Sequence, residues 1–310
     1  MLAIIQRVTT AAWLVLLLGA PALAVFHGRG GLAVVLALLI AAGQALWLGL
    51  TFLWMHSQNR GDRAPPASAW QMLGAWWAEA RTAPQVFCWR QPFFANAEPD
   101  YLPTGPAGQR TGLVLVHGFF CNRGLWTPWL HELRRLGIPF VAVDLEPVFG
   151  SIDDYPPVVE AAVVRLRRAT GRPPILIGHS MGGLAIRAWL RDFDADARVH
   201  SLITLGTPHS GTRLARLAFS TNGRQMRQSS PWLTALAAAE PAARRRSFLC
   251  FFSHCDNIVF PASHAVLADA EERHVPAAAH VDLLNQPGVM AEVLKRLHAA
   301  DAGLRLAPID

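Results

Sequence analysis

The chain has 310 residues, 52% of them hydrophobic and only 16% charged, whereas about a quarter of an ordinary soluble domain is charged. Residues 1–59 hold Arg7 and Arg29 and no Asp or Glu, so of the formal +6 only 26 basic against 22 acidic groups remain over residues 60–310. That balance, with no basic stripe interleaved with aromatics, excludes a nucleic-acid surface, and the mixed remainder excludes collagen-like, coiled-coil and disordered chains.

The excess apolar content lies at the N-terminus. Residues 8–26 and 30–55 carry no charge and are separated by His27-Gly28-Arg29; each is near or above the ~20 apolar residues that cross a bilayer. They predict a transmembrane hairpin. The competing reading is a signal peptide, with Arg7 as its basic region and Ala22-Leu23-Ala24 as a cleavage pattern, followed by one anchor. Trp47 and Trp54 suit an interface, and Arg7, Arg60, Arg63, Arg81 and Arg90 flank the spans, so the positive-inside bias puts both ends in the cytoplasm.

Residues 56–68, with Asn59, Gly61, Pro65 and Pro66, read as a juncture. Residues 69–80 place Trp70, Leu73, Trp76 and Trp77 at near-helical spacing, predicting an amphipathic helix on the bilayer surface or packed on the domain. From Val86 the linker is expected to run extended, as a strand leading into the domain, with Pro92, Pro99, Pro103 and Pro106 marking loops.

The domain proper is expected over residues 111–300. Short apolar runs at 113–116, 140–143, 175–177, 201–205 and 248–252 have the length of buried parallel strands, and helical segments at 122–137, 157–170 and 181–193 separate most of them. This alternation predicts an open, mostly parallel sheet with helices on both faces, whose active site gathers at the carboxyl ends of the strands. Four cysteines, Cys88, Cys121, Cys250 and Cys255, match neither a zinc site nor a disulfide framework and read as free thiols.

Gly178-His179-Ser180-Met181-Gly182-Gly183 follows the third run and opens a helix. A G-x-S-x-G sequence between strand and helix is a nucleophile elbow, in which Gly178 and Gly182 let strand and helix approach while Ser180 is presented at the helix N-terminus. A serine needs a base oriented by an acid, in chain order Ser, acid, His. Asp256, just after the 248–252 run, is the expected acid and His280 the expected base. Asp269 in an expected helix and Asp144 are alternative acids; His254 and His274 are alternative bases, and His179 is expected to shape the turn. Gly118, after the first run, allows a close loop, and the backbone N–H groups of Phe119 and Met181 are the expected oxyanion donors.

At these motifs, with Leu205-Gly206-Thr207-Pro208-His209-Ser210-Gly211-Thr212 and His280-Val281-Asp282-Leu283-Leu284-Asn285-Gln286, the chain resembles the lipase and esterase branch of the α/β-hydrolase superfamily, particularly bacterial triacylglycerol lipases. The resemblance implies an α/β-hydrolase fold over roughly residues 110–298 and cleavage of carboxylic esters through an acyl-enzyme. It also implies a structural calcium at Asp282 and Gln286, but the chain has Leu236 where the pattern wants a second aspartate, so no metal or other cofactor is expected. The Leu-, Ala- and Arg-rich insertion at about 211–244 reads as a lid or cap. Beside a membrane anchor it suggests long-chain acyl esters as substrate and the bilayer as partner. The expected location is a bacterial inner membrane, crossed twice, with the catalytic domain cytoplasmic and the periplasmic side as alternative. A thioesterase or acyltransferase on the same residues, or a non-catalytic membrane module, are the rival functions.

Overall fold

A computed structural model describes residues 1–105 and 109–303; the expected loop at Pro106 lies outside the described residues. The chain begins with two apolar helices, α1 (Leu2–Phe26) and α2 (Gly30–Gln58), packed together as a hairpin about the turn at His27–Arg29. Both are long and apolar enough to cross a membrane, and most of their large side chains are exposed, Leu18 at 69% and Leu38 at 65%.

The hairpin does not hang free at its open end. Gln6, buried in α1, donates to Gln91 Oε1 at 2.7 Å, and Arg7 Nε donates to the Pro92 carbonyl at 2.6 Å. At the end of α2, Phe52 and Met55 pack with Ala75, Cys255, Phe260 and Ala279, so α2 is sealed onto the domain by apolar burial.

Helix α3 (Ala69–Pro84) starts at a capping box, with Ser68 accepting from Gln71 N and Gln71 Oε1 accepting from Ser68 N. Its small face, Ala75 and Ala83, is buried, while Trp70, Leu73 and Trp77 face outward and Trp76 donates to the Ala45 carbonyl of α2 at 2.8 Å. The small residues of this helix pack, as one of its two expected surroundings requires, and Trp70, Leu73 and Trp77 are left exposed. The linker beyond it is not extended. A π-helical turn (Gln85–Arg90) runs into α4 (Gln91–Phe94), and the β pairing found among the described linker residues is the isolated bridge Tyr101–Phe140. Pro92 misleads as a loop marker: it sits within helical backbone, at the start of α4 just past the π-helical turn.

Six parallel strands form one sheet in the order β2-β1-β3-β4-β5-β6: β1 (Leu113–Val116), β2 (Phe140–Ala142), β3 (Ile175–His179), β4 (Ser201–Leu205), β5 (Phe248–Phe252) and β6 (Glu271–His274). Alternate side chains serve the two faces. Val114 and Val116 join α6 (Pro156–Thr170) and α7 (Met181–Phe193) in one core, while Leu113 and Leu115 join α5 (Thr127–Arg135) and α11 (Pro287–Asp301) in the other. The insertion after β4 folds as short helices, among them α8 (Thr221–Gln225), α9 (Pro231–Ala238) and α10 (Ala242–Arg245). It is bolted to α7 by a buried bidentate pair, Arg187 with Glu240, at 2.7 Å.

Candidate active site

Ser180 sits between β3 and α7 with φ 54° and ψ −128°. A non-glycine residue in that region is strained by roughly 1–3 kcal/mol, and its surroundings hold it there: Ser180 N donates to the Leu205 carbonyl at 2.9 Å, and Thr207 Oγ1 donates to the Ser180 carbonyl at 2.8 Å. The expected glycines are required by contact. A Cβ on Gly178 would lie 2.5 Å from Gly183 N, one on Gly182 would strike the Val116 carbonyl, and one on Gly118 would lie 2.7 Å from Ser180 Cβ.

Asp256, 1% exposed in the turn after β5, accepts from the backbone N–H groups of Ile258 and Val259 at 2.9 and 2.8 Å. It faces His280 Nδ1 at 2.9–3.0 Å. A carboxylate only accepts, so Nδ1 carries the proton and Nε2 is left as the acceptor. Burial opposes the imidazolium, but the Asp256 charge and hydrogen bond, and then the Glu79 charge, raise the His280 pKa above its ordinary value. His280 and Ser180 line one cavity.

The loop after β1 is pinned by His117. Its Nε2 accepts from Leu145 N at 3.0 Å, so Nδ1–H donates to the Gly118 carbonyl at 2.9 Å, and burial lowers its pKa, favouring the neutral ring. Phe119 follows and borders the cavity, while Met181 is the first residue of α7, where backbone N–H groups lack intrahelical acceptors. His179 is buried against His280, ring centroids 4.7 Å apart, and contacts the His280 carbonyl through Nε2 at 3.1 Å. Burial, and after it the His280 charge, pushes its pKa well down, so it shapes the turn as a neutral ring.

Two cavities meet at Ser180. One of about 120 Å³ lies under the insertion, lined by Leu214, Ala215, Ala218 and Met226. The other, of about 380 Å³, is lined by Phe119, Phe120, Val281 and Glu79, and by Gln44, Trp47 and Leu48 of α2. Part of the insertion, from Leu214 to Met226, thus lines the smaller cavity together with Ser180.

Residues 113–305 match the sequence profile of the alpha/beta hydrolase family. The chain belongs to that family. This alpha/beta hydrolase matches no curated protein in sequence. In structure it is similar to the mature Bacillus licheniformis lipase BlEst2, with 17% identity and TM-score 0.56 over 64% of this chain and 96% of that one. It is also similar to Aspergillus fumigatus lipase B, with 17% identity and TM-score 0.56 over 66% and 56% of the two chains. At such identity the likeness is one of fold.

The alternative acids and bases of this hydrolase lie elsewhere. Asp269 is in a turn, not a helix, and pairs with Arg245 at 2.7 Å; Asp144 accepts from Arg123 N at 2.7 Å. His254 and His274 pack on each other at 4.6 Å. Asp282 and Gln286 do not fit the implied calcium, which takes six to eight oxygens: Gln286 Nε2 donates to Asp282 Oδ2 at 2.6 Å, and the third position is the buried Leu236. All four cysteines are free.

One residue of the site was missed. Glu79 of α3, 2% exposed, accepts from Val281 N and Asp282 N at 3.2 Å, directly behind His280. Burial pushes its pKa up to about 7 against the lowering pull of His280 and those two hydrogen bonds. Its signal is in the sequence: Glu79 falls between Ala75 and Ala83 at i, i+4 and i+8, a carboxylate on the small face of a helix opposite its aromatic face.

Proposed function

We propose that this alpha/beta hydrolase is a membrane-anchored serine hydrolase of carboxylic esters, acting on lipid or other long-chain acyl esters. The observation that carries this reading is the Asp256–His280 pair beside a strained Ser180 in an apolar cavity. Ser180 Oγ attacks the ester carbonyl as His280 Nε2 takes its proton, and Asp256 orients the ring and stabilises the imidazolium. The tetrahedral oxyanion takes hydrogen bonds from Phe119 N–H and Met181 N–H. When the carbon–oxygen bond to the alcohol breaks, His280 returns the proton to the leaving oxygen. Water, deprotonated by the same ring, then attacks the acyl-enzyme, and Ser180 leaves with the proton.

The hairpin is read as two spans. Each large apolar side chain kept in water forfeits roughly 1.5–3 kcal/mol, and α1 and α2 expose many of them, among them Val15, Leu18, Leu38 and Leu53. Cleavage after Ala24 would remove Gln6 and Arg7 from their partners in the 91–92 segment, which favours an uncleaved α1. The flanking arginines favour a bacterial inner membrane with the catalytic domain in the cytoplasm.

A fluorophosphonate probe tests the chemistry on the full-length protein: wild type is expected to label and Ser180→Ala to stay unlabelled. A folded wild type that does not react would overturn the enzyme reading, and a substrate screen would distinguish ester hydrolysis from thioester cleavage or acyl transfer.

A further inference from the structure

The larger cavity is not built by the hydrolase domain alone. Leu48, buried on α2, lies in its wall, and the exposed Gln44, one turn earlier, and Trp47, the residue before Leu48, also line it. We propose that α2 forms one wall of an acyl-chain channel running from the flank of the hairpin to Ser180, so that the substrate is a long-chain ester taken laterally from the bilayer. This inference rests on the ester-hydrolase reading.

Three observations support it. The first is size: at the ~30 Å³ that a water-sized group such as a methylene occupies, the 120 Å³ cavity under the cap takes about four such groups and the 380 Å³ cavity about twelve. Of these two cavities, the one along α2 has the room for a long chain. The second is depth. Gln44 and Leu48 stand about 21 and 27 Å from the start of α2, at ~1.5 Å per residue. If the hairpin crosses a hydrocarbon layer of ~30 Å, the edge of the cavity stands at the level of the near-leaflet chains and not in water.

The third is rigidity. Trp76 holds the Ala45 carbonyl at 2.8 Å, between Gln44 and Trp47. Two turns further on, Thr51 Oγ1 accepts from Asn257 Nδ2 at 3.3 Å, while Asn257 Oδ1 accepts from His280 N at 3.4 Å. The helix that walls the channel is tied through one side chain to the backbone of the proposed base. A mere tether would not need that connection.

The test uses the full-length protein in mixed micelles and the ratio of kcat/KM on p-nitrophenyl laurate to that on p-nitrophenyl butyrate. Leu48→Trp, which fills the wall, is expected to lower that ratio at least tenfold. Leu48→Ala, which widens it, is expected to shift the optimum to longer chains, and Leu50→Trp on the exposed side of α2 is expected to keep the wild-type ratio. Should Leu48→Trp fail to fold, Leu48→Ala decides. Unchanged ratios in the folded Leu48 variants, with wild type still labelled by a small fluorophosphonate, would overturn the channel and leave the hydrolase reading standing. An unlabelled wild type would instead overturn the hydrolase reading, and the channel with it.

Discussion

Glu79→Gln isolates the cost of a buried charge. The carboxyl is fully buried, and its pKa rises from 4.5 to about 7 because burial disfavours the charged form more than His280 and the two backbone donors favour it. A raised pKa means that the folded state holds the proton more tightly than the unfolded one. The stability linked to that proton is complete below about 4.5 and is lost as pH rises through about 7. At about 1.36 kcal/mol per unit, the loss at pH 8.5 is roughly 3 kcal/mol. The amide carries no charge at any pH and keeps one oxygen for Val281 N and Asp282 N.

Glu79→Gln should therefore match wild type near pH 4.5 and exceed it at pH 8.5. For a domain of this size, roughly 2–4 °C per kcal/mol makes the difference about 6–12 °C in Tm, measured by thermal unfolding in detergent at the two pH values. A difference of the same size at both pH values, or a variant less stable than wild type at pH 8.5, would refute the reasoning. Activity gives an independent reading: because the Glu79 charge helps raise the His280 pKa, its removal should move the acid limb of kcat/KM to lower pH.

Other substitutions read other parts of the site. Asp256→Asn leaves His280 Nδ1 facing an amide, and kcat on a soluble ester should fall by about 10⁴-fold as the wrong tautomer is favoured; a loss under tenfold would exclude Asp256 as the orienting acid. Gly118→Ala places a Cβ 2.7 Å from Ser180 Cβ, so fluorophosphonate labelling should slow severely while the circular dichroism spectrum stays native; wild-type labelling would contradict the packing. Glu240→Ala strips the buried Arg187 of its partner, and denaturant unfolding should show a loss of about 3–5 kcal/mol. A loss under 1 kcal/mol would mean the cap is not anchored there.

What the sequence made legible follows from burial. β1, β3, β4 and β5 are covered on both faces and read as short apolar runs, and the elbow is legible because close contacts dictate Gly178 and Gly182. β6 is not an apolar run: Glu271 binds Arg296 and Arg273, and Glu272 binds Arg63, so an edge strand held by ion pairs looks like a surface loop. The helical 85–94 segment was hidden by the prolines at and within it, Pro84 ending α3 and Pro92 near the start of α4. Pairings across long sequence separation were the least legible. Glu79 with Val281, and Thr51 with Asn257, each join positions more than 200 residues apart, and no local pattern encodes such a contact.

Those two long-range contacts also bear on where the functional unit begins. Without α3, Val281 N–H and Asp282 N–H would lose their acceptor just behind His280, and a buried donor left unpaired costs about 1–3 kcal/mol. Without α2, Asn257 would lose Thr51, and the face formed by Cys255, Phe260 and Ala279 would be stripped of Phe52 and Met55. Each loss falls on the loops that carry Asp256 and His280, while β3 and the elbow are untouched. The family match begins at residue 113, yet the support of the proposed acid and base begins in α2. The hairpin and linker therefore belong to the architecture of the candidate site.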